Sequence, residues 1–310
     1  MSRLLFAGTP ATAVPALQRL IADGHEIVAV LTRPDAPLGR KRVLTPSPVA
    51  QEAQAHGLPI IKATKITDET HEQIAALDAE LAVVVAYGGL IPRRTLDAVQ
   101  HGWVNLHFSL LPHLRGAAPV QHALIRCLDI TGASVFVLEE GLDTGPVLGM
   151  MTEHVRDDDT AGVLLARLAE GGSELLSQAV AGYLSGQVIP VAQTGEPTLA
   201  PKLSREDGRV DWTHPATAVR GRIAGTTPEP GAFTELDGAV IKLDRVDVVE
   251  GVDDLAPGAL RVEPGKKGRV LVGTGSCAVA LTEVQPAGKK MMRALDWSRG
   301  IQTETGVTFA

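Results

Sequence analysis

Asn105, His107 and Ser109 fall at every second position of the run Val104-Asn105-Leu106-His107-Phe108-Ser109. The period of a β-strand therefore puts them on one side, opposite Leu106 and Phe108. An amide, an imidazole and a hydroxyl at the carboxyl end of a parallel strand lie where open α/β sheets bind ligands. The same pattern also suits a strand end whose polar residues only close the backbone, with Pro112 stopping the strand. A second candidate is Asp143, in Glu139-Glu140-Gly141-Leu142-Asp143-Thr144-Gly145, where flanking glycines permit positive φ. It reads either as a carboxylate presented by a turn or as an ordinary Asx turn.

Other signals are weaker. His101, His107 and His113 lie six residues apart without any H-x-x-x-H or C-x-x-C companion, so no metal site is expected. Gly8-Thr9-Pro10 matches neither a P-loop nor a dinucleotide fingerprint and reads as a tight strand-to-helix turn. Tyr87-Gly88-Gly89 reads as a turn where a ligand could approach the backbone. Residues 33–42 carry Arg33, Arg40, Lys41 and Arg42 against Asp35 alone. Such a local positive finger suits either phosphate contact or a solvated loop.

The elements that position these residues are read from apolar patterning. Aliphatic runs at 4–7, 27–32, 81–86 and 103–107 alternate with helical patterns at 14–22 and 49–56. The later runs lack polar alternation, so the strands are buried on both faces, as in a parallel, doubly wound α/β sheet. A helix capped by Asp159 or Thr160 runs to about Leu184, with Gly171 and Gly172 weakening it midway. A Pro/Gly/Thr-rich, aperiodic stretch at 187–207 reads as a linker. Beyond it, short segments at 239–243, 259–262, 270–272 and 277–281, with a helix near 215–224, read as a small OB-like β-barrel. The expected division is 1–186, 187–207 and 208–310.

Composition narrows the function classes. With 310 residues, 45% hydrophobic and 21% charged, the chain is long enough for two packed domains and unlike a disordered one. A net charge of −7 excludes a broad positive field, so any nucleic-acid contact must be local. Aromatic residues at 3% leave little for base-stacking platforms. Cys127 and Cys277 form no pairing motif, and no apolar run reaches the roughly 18 residues of a membrane span. A cytoplasmic, monomeric protein without membrane contact is expected.

Taken together, the chain resembles the formyltransferase family that uses 10-formyltetrahydrofolate. Phe6-Ala7-Gly8-Thr9-Pro10 is similar to its opening strand and turn, and Leu44-Thr45-Pro46-Ser47-Pro48-Val49 to the segment after its basic loop. Ser109-Leu110-Leu111-Pro112 leading to Arg115-Gly116-Ala117-Ala118-Pro119 is the most specific stretch. The chain departs from the family pattern at Ala11-Thr12-Ala13, at His113-Leu114 and at Glu229. Asn105, His107 and Asp143 fall on the family's catalytic residues. Ala200-Pro201-Lys202-Leu203, Gly208-Arg209-Val210-Asp211-Trp212 and Gln285 to Met291 resemble its tRNA-dependent branch.

The resemblance implies formyl transfer from 10-formyltetrahydrofolate to methionyl-initiator tRNA without a metal. A small amine acceptor or hydrolysis of the folate would use the same trio. In the implied chemistry Asn105 and His107 donate to the developing oxyanion, and Asp143 takes the proton shed by the attacking amine. Ser109, Leu110, Leu111 and Pro112 would border the folate. Arg40, Lys41 and Arg42 would reach the tRNA, with Lys266, Lys267, Arg269, Lys289, Lys290 and Arg293 as further phosphate contacts.

Overall fold

The computed structural model describes residues 1–39, 41–263, 265, 268–301 and 307–310. They fall into two compact units. The first comprises Met1–Gly116, Thr131–Glu153 and Leu165–Leu199, and the second Ala117–Ile130, His154–Leu164 and Ala200–Ala310. The stretch read from sequence as a linker thus divides at Leu199, and the second unit draws two segments from earlier in the chain, both before Leu165.

The first elements in chain order are β1 (Arg3–Gly8), α1 (Val14–Ala22), β2 (Glu26–Thr32), β3 (Ala36–Leu38), β4 (Val43–Thr45), α2 (Pro48–Ala55) and β5 (Ile60–Lys62). They are followed by α3 (Asp68–Ala75), β6 (Leu81–Val85), α4 (Arg93–Leu96), β7 (Trp103–His107), α5 (Pro119–Ile125), β8 (Ile130–Val137), β9 (Val147–His154) and α6 (Ala161–Leu184). Seven strands form one sheet in the order β5-β2-β1-β6-β7-β8-β9. The pairs from β5 to β7 are parallel, and β8 joins β7 antiparallel. All five residues of β6 are buried, as a parallel strand covered on both faces requires. Strand order reverses between β1 and β6, so the crevice that such sheets offer to ligands opens past the carboxyl ends of those two strands, with β7 next to β6.

Helix starts follow local chemistry. Ser47 accepts from the Ala50 amide at 3.0 Å ahead of α2, and Thr67 from the Thr70 amide at 3.2 Å ahead of α3. α6 runs unbroken for 24 residues through Gly171 and Gly172. A Cβ at Gly172 would stand 3.2 Å from the Leu106 side chain, and one at Gly171 2.8 Å from the Met151 methyl. The two glycines therefore let the helix lie close against the sheet. The basic segment is a short hairpin, with Leu38 opposite Val43 and Ala36 opposite Thr45.

The second unit adds α7 (Ala216–Thr226), β10 (Ala232–Leu236), β11 (Ala239–Leu243), β12 (Val246–Val249), β13 (Leu260–Val262), β14 (Val270–Val272), β15 (Ala278–Leu281), β16 (Glu283–Pro286), β17 (Met292–Arg293) and α8 (Ala294–Ser298). They form two antiparallel sheets, β10-β11-β16-β17 and β12-β15-β14-β13. The chain turns from one sheet to the other at a shared corner, where the Thr282 amide and hydroxyl both donate to Arg245 O, at 3.2 and 2.7 Å. Both sheets bury side chains in one core that includes Trp212, Ile223, Ile241, Leu243, Val272, Val279, Leu281 and Phe309. Phe309 stacks between Trp212 and Trp297, with ring centroids 5.6 and 6.0 Å away. Within this unit α5 packs on α7 through glycines: a Cβ at Gly221 or Gly225 would meet Leu124 O or Gln121 O at 2.6 Å.

Candidate active site

His107 is the last residue of β7, and in the ladder with β8 it faces Ser134 while Asn105 faces Phe136. Asn105 is half-buried and His107 is 6% exposed. The strand ends there, so Ser109 lies in the bend beyond it instead of extending the polar row. Its hydroxyl donates to His113 O at 2.6 Å, and its carbonyl accepts from the Ser134 hydroxyl at 2.7 Å. Leu111 N donates to that same hydroxyl at 3.1 Å. Ser109, Leu111 and Pro112 are buried and Leu110 is half-buried, so the segment presents backbone and Leu110 more than its other side chains.

The imidazole is held at one nitrogen and faces a carboxylate at the other. Nε2 donates to Leu114 O at 3.0 Å, and since a carbonyl only accepts, the proton of the neutral ring sits on Nε2. Nδ1 then carries the lone pair and lies 3.8 Å from Asp143 Oδ2. Burial pushes the His107 pKa below its ordinary 6.5, against the pull of the Asp143 carboxylate and the Leu114 carbonyl. A ring arranged in this way offers an acceptor at Nδ1 while neutral. That differs from the expectation that the neutral imidazole donates to an oxyanion.

Asp143 approaches His107 from a turn in which its own φ is +51°, a left-handed conformation that Asp tolerates better than most residues. Its Oδ2 accepts from the Gly116 amide at 2.7 Å. The candidate trio is therefore gathered from β7 and from the turn before β9, with the carboxylate anchored by a backbone N–H.

Sequence reasoning missed the residues that brace this arrangement. Gln193 Nε2 donates to Asp143 O and to Gly145 O, each at 2.8 Å. Arg115 donates to Gln193 Oε1 through Nη2 at 2.6 Å and Nε at 3.2 Å. Leu114, itself at φ +58°, donates its amide to Thr198 Oγ1 at 2.9 Å. Gln193 and Thr198 lie in the stretch whose lack of periodicity suggested a tether. No local signal marks a side chain whose partners lie far away in the chain.

At the reversal of strand order, Thr9 Oγ1 donates to Tyr87 O at 2.9 Å and Arg33 donates to Gly88 O at 2.5 Å. The Tyr87 hydroxyl donates to Ala63 O at 2.8 Å, and burial pushes its pKa up, so it is part of the framework. Gly88 has φ +80° and Leu90 is 89% exposed, leaving open backbone and an apolar side chain past the end of β6. Of the basic residues, Lys41 and Arg42 are exposed at the hairpin turn, and Arg40 lies outside the described residues, as do Lys266 and Lys267. Among the described residues no three His, Cys, Asp or Glu side chains are grouped as a metal ion would need.

The family model "Formyl transferase" matches residues 2–180, and "Formyl transferase, C-terminal domain" matches 202–302. The chain belongs to the formyltransferase family. It is 56% identical to the methionyl-tRNA formyltransferase of Arthrobacter sp. (strain FB24), over 99% of each chain. Among solved structures it resembles the methionyl-tRNA formyltransferase from Clostridium thermocellum, with a TM-score of 0.58 and 17% identity, over 81% of this chain and 95% of that one. It also resembles HypX from Aquifex aeolicus in complex with tetrahydrofolic acid, with a TM-score of 0.67 and 18% identity, over 96% of this chain and 47% of that one. At these identities the two structures speak for the fold, which both share with this chain.

Proposed function

We propose that this chain transfers the formyl group of 10-formyltetrahydrofolate to the α-amino group of methionyl-initiator tRNA. The observation that carries the reading is full-length similarity to methionyl-tRNA formyltransferases in a chain that brings His107 and Asp143 to 3.8 Å at the ligand-binding end of its sheet. The open backbone after β6, the exposed Leu90 and the half-buried Leu110 suit a flat, partly apolar co-substrate such as the folate. Ser109 to Pro112 would border it chiefly with backbone groups.

The chemistry follows from the state of the ring. An α-amino group has a reference pKa of about 7.7–8.0, so a neutral fraction is present near neutral pH. Its nitrogen attacks the formyl carbon, and the formyl oxygen gains negative charge that the Asn105 amide stabilises as a donor. The nitrogen becomes an ammonium and must lose a proton. Nδ1 of His107 takes it, because Nε2–H is committed to Leu114 O and burial keeps the ring unprotonated beforehand. Asp143 stabilises the resulting imidazolium, which returns the proton to the departing folate nitrogen as its bond to the formyl carbon breaks. The products are the formylated amine and tetrahydrofolate, with no net gain or loss of protons.

Residues 1–186 would supply the reacting groups, 187–207 would connect while bracing the site through Gln193 and Thr198, and 208–310 would bind tRNA. Arg40, Lys41 and Arg42 reach the tRNA in this reading, joined by Arg269, Lys289, Lys290 and Arg293. A cytoplasmic monomer is proposed with it, and no helix among the described residues is long and apolar enough to cross a membrane. The test is formyl transfer to methionyl-initiator tRNA alongside elongator tRNA, small amines and no acceptor. Selective formylation of the initiator is expected. Transfer to small amines alone, or release of formate alone, would contradict the substrate and leave the site chemistry standing.

A further inference from the structure

We propose that Gln193 is a positioning residue that fixes Asp143 against His107, an inference that rests on the assignment of Asp143 to the reaction. Asp143 lies in a turn rich in glycine and exposed at Glu139 to Leu142, so its backbone has little support from its own turn, and the Gly116 amide holds only its carboxylate. Its left-handed backbone is not the resting preference of an L-residue and persists only where the surroundings determine it. Gln193 supplies that determination by donating to the carbonyls on both sides of Thr144, at 2.8 Å each.

The amide of Gln193 can point only one way. Arg115 has donors and no acceptor, so Oε1 must face the guanidinium and Nε2 the two carbonyls. The backbone around Gln193 is placed in turn. Val191 exchanges hydrogen bonds of 2.7 and 2.9 Å with Val147, the first residue of β9. Thr198 O accepts from Arg115 N at 2.8 Å, and Thr198 Oγ1 accepts from Leu114 N. One segment therefore grips the turn that carries Asp143 and also the residue whose carbonyl orients His107. Gly145 leaves the turn no room to shift toward β8, since a Cβ there would meet Val137 O at 1.8 Å. Losing the Gln193 donors frees the turn on its other side, and the carboxylate drifts from Nδ1.

The experiment compares Gln193→Leu and Gln193→Glu with wild type, and Gln193→Leu with and without Asp143→Asn, in single-turnover and steady-state formylation of methionyl-tRNA. The carboxylate introduced by Gln193→Glu keeps an acceptor for Arg115 but cannot donate to the carbonyls, which covers the case in which the Leu variant folds poorly. The expected result is a kcat lower by about 10- to 100-fold, as a displaced catalytic group produces, with KM for tRNA and folate unchanged. In the Asp143→Asn background Gln193→Leu should cost nothing further. A wild-type kcat in both Gln193 variants beside a slow Asp143→Asn enzyme would overturn this inference alone, as would losses that multiply in the double variant. A wild-type kcat in Asp143→Asn would overturn the assignment of Asp143 and this inference with it.

Discussion

Around His107 the chain is held by directed hydrogen bonds: Leu114 O on Nε2, Gly116 N on the Asp143 carboxylate, and Gln193 on the turn behind it. Around Phe309 it is held by flat apolar contact, with the ring stacked between Trp212 and Trp297 in a core shared by two sheets. Hydrogen bonds to carbonyls and amides add modest net stability but fix direction closely. Stacked rings and buried aliphatic side chains remove far more apolar area from water and fix direction less. The first region is built to aim a few atoms and the second to stay folded, and each can be perturbed by substitution.

The largest expected effect is on the apolar side. Phe309→Ala should cost about 3–5 kcal/mol of stability, as emptying a buried aromatic site does. Thermal unfolding followed by Trp fluorescence would report it, because two of the three tryptophans touch the ring. A slower enzyme with unchanged unfolding would erase the contrast. Next is Gly225→Ala, whose methyl would press on Gln121 O where α5 meets α7. Overpacking of that kind costs about 1–3 kcal/mol, against the gain in helix propensity. Chemical denaturation should show a lower midpoint, and an unchanged midpoint would mean that the helices separate more easily than their packing suggests.

Smaller effects are expected where charge is at stake. Lys41→Ala combined with Arg42→Ala should weaken tRNA binding and flatten its salt dependence by about 0.7–0.9 for each phosphate no longer neutralised. Affinity and slope both unchanged would remove the hairpin from the interface. The smallest is a pH displacement at His107. Burial lowers its pKa, so the reactive neutral ring should persist as pH falls below 6.5 and be lost only at more acidic pH. Asp143→Asn removes a charge that favours the imidazolium, so titration of the ring by NMR should move to still lower pH. Movement to higher pH would show that the carboxylate does not act on the ring.

Much of the first region was legible because its strands are uninterrupted aliphatic runs whose ends coincide with polar residues. Trp103 to His107 and Leu81 to Val85 stand where their composition put them. The hairpin at Ala36–Leu38 and Val43–Thr45 was not, since strands of three mostly exposed residues carry no alternation to read. Gly171 and Gly172 read in sequence only as low helix propensity, because the close packing on Leu106 and Met151 that they permit depends on residues far away in the chain. Asn105, His107 and Asp143 were visible as residue types and through family resemblance. The braces Gln193, Arg115 and Thr198 act through tertiary hydrogen bonds between segments far apart, and the proton on Nε2 is set by a carbonyl seven residues away. Neither leaves a periodic trace.

We attribute formyl transfer at the end of β7 to the Asn105 amide, the acceptor nitrogen of His107 and the Asp143 carboxylate. The most direct test is the single-turnover rate of Asn105→Ala with methionyl-initiator tRNA and 10-formyltetrahydrofolate, measured together with both affinities. Loss of one oxyanion donor should lower the rate by on the order of 10²–10³ while tRNA and folate bind as before. A near-normal rate, or a loss explained entirely by weaker binding, would remove Asn105 from the reaction.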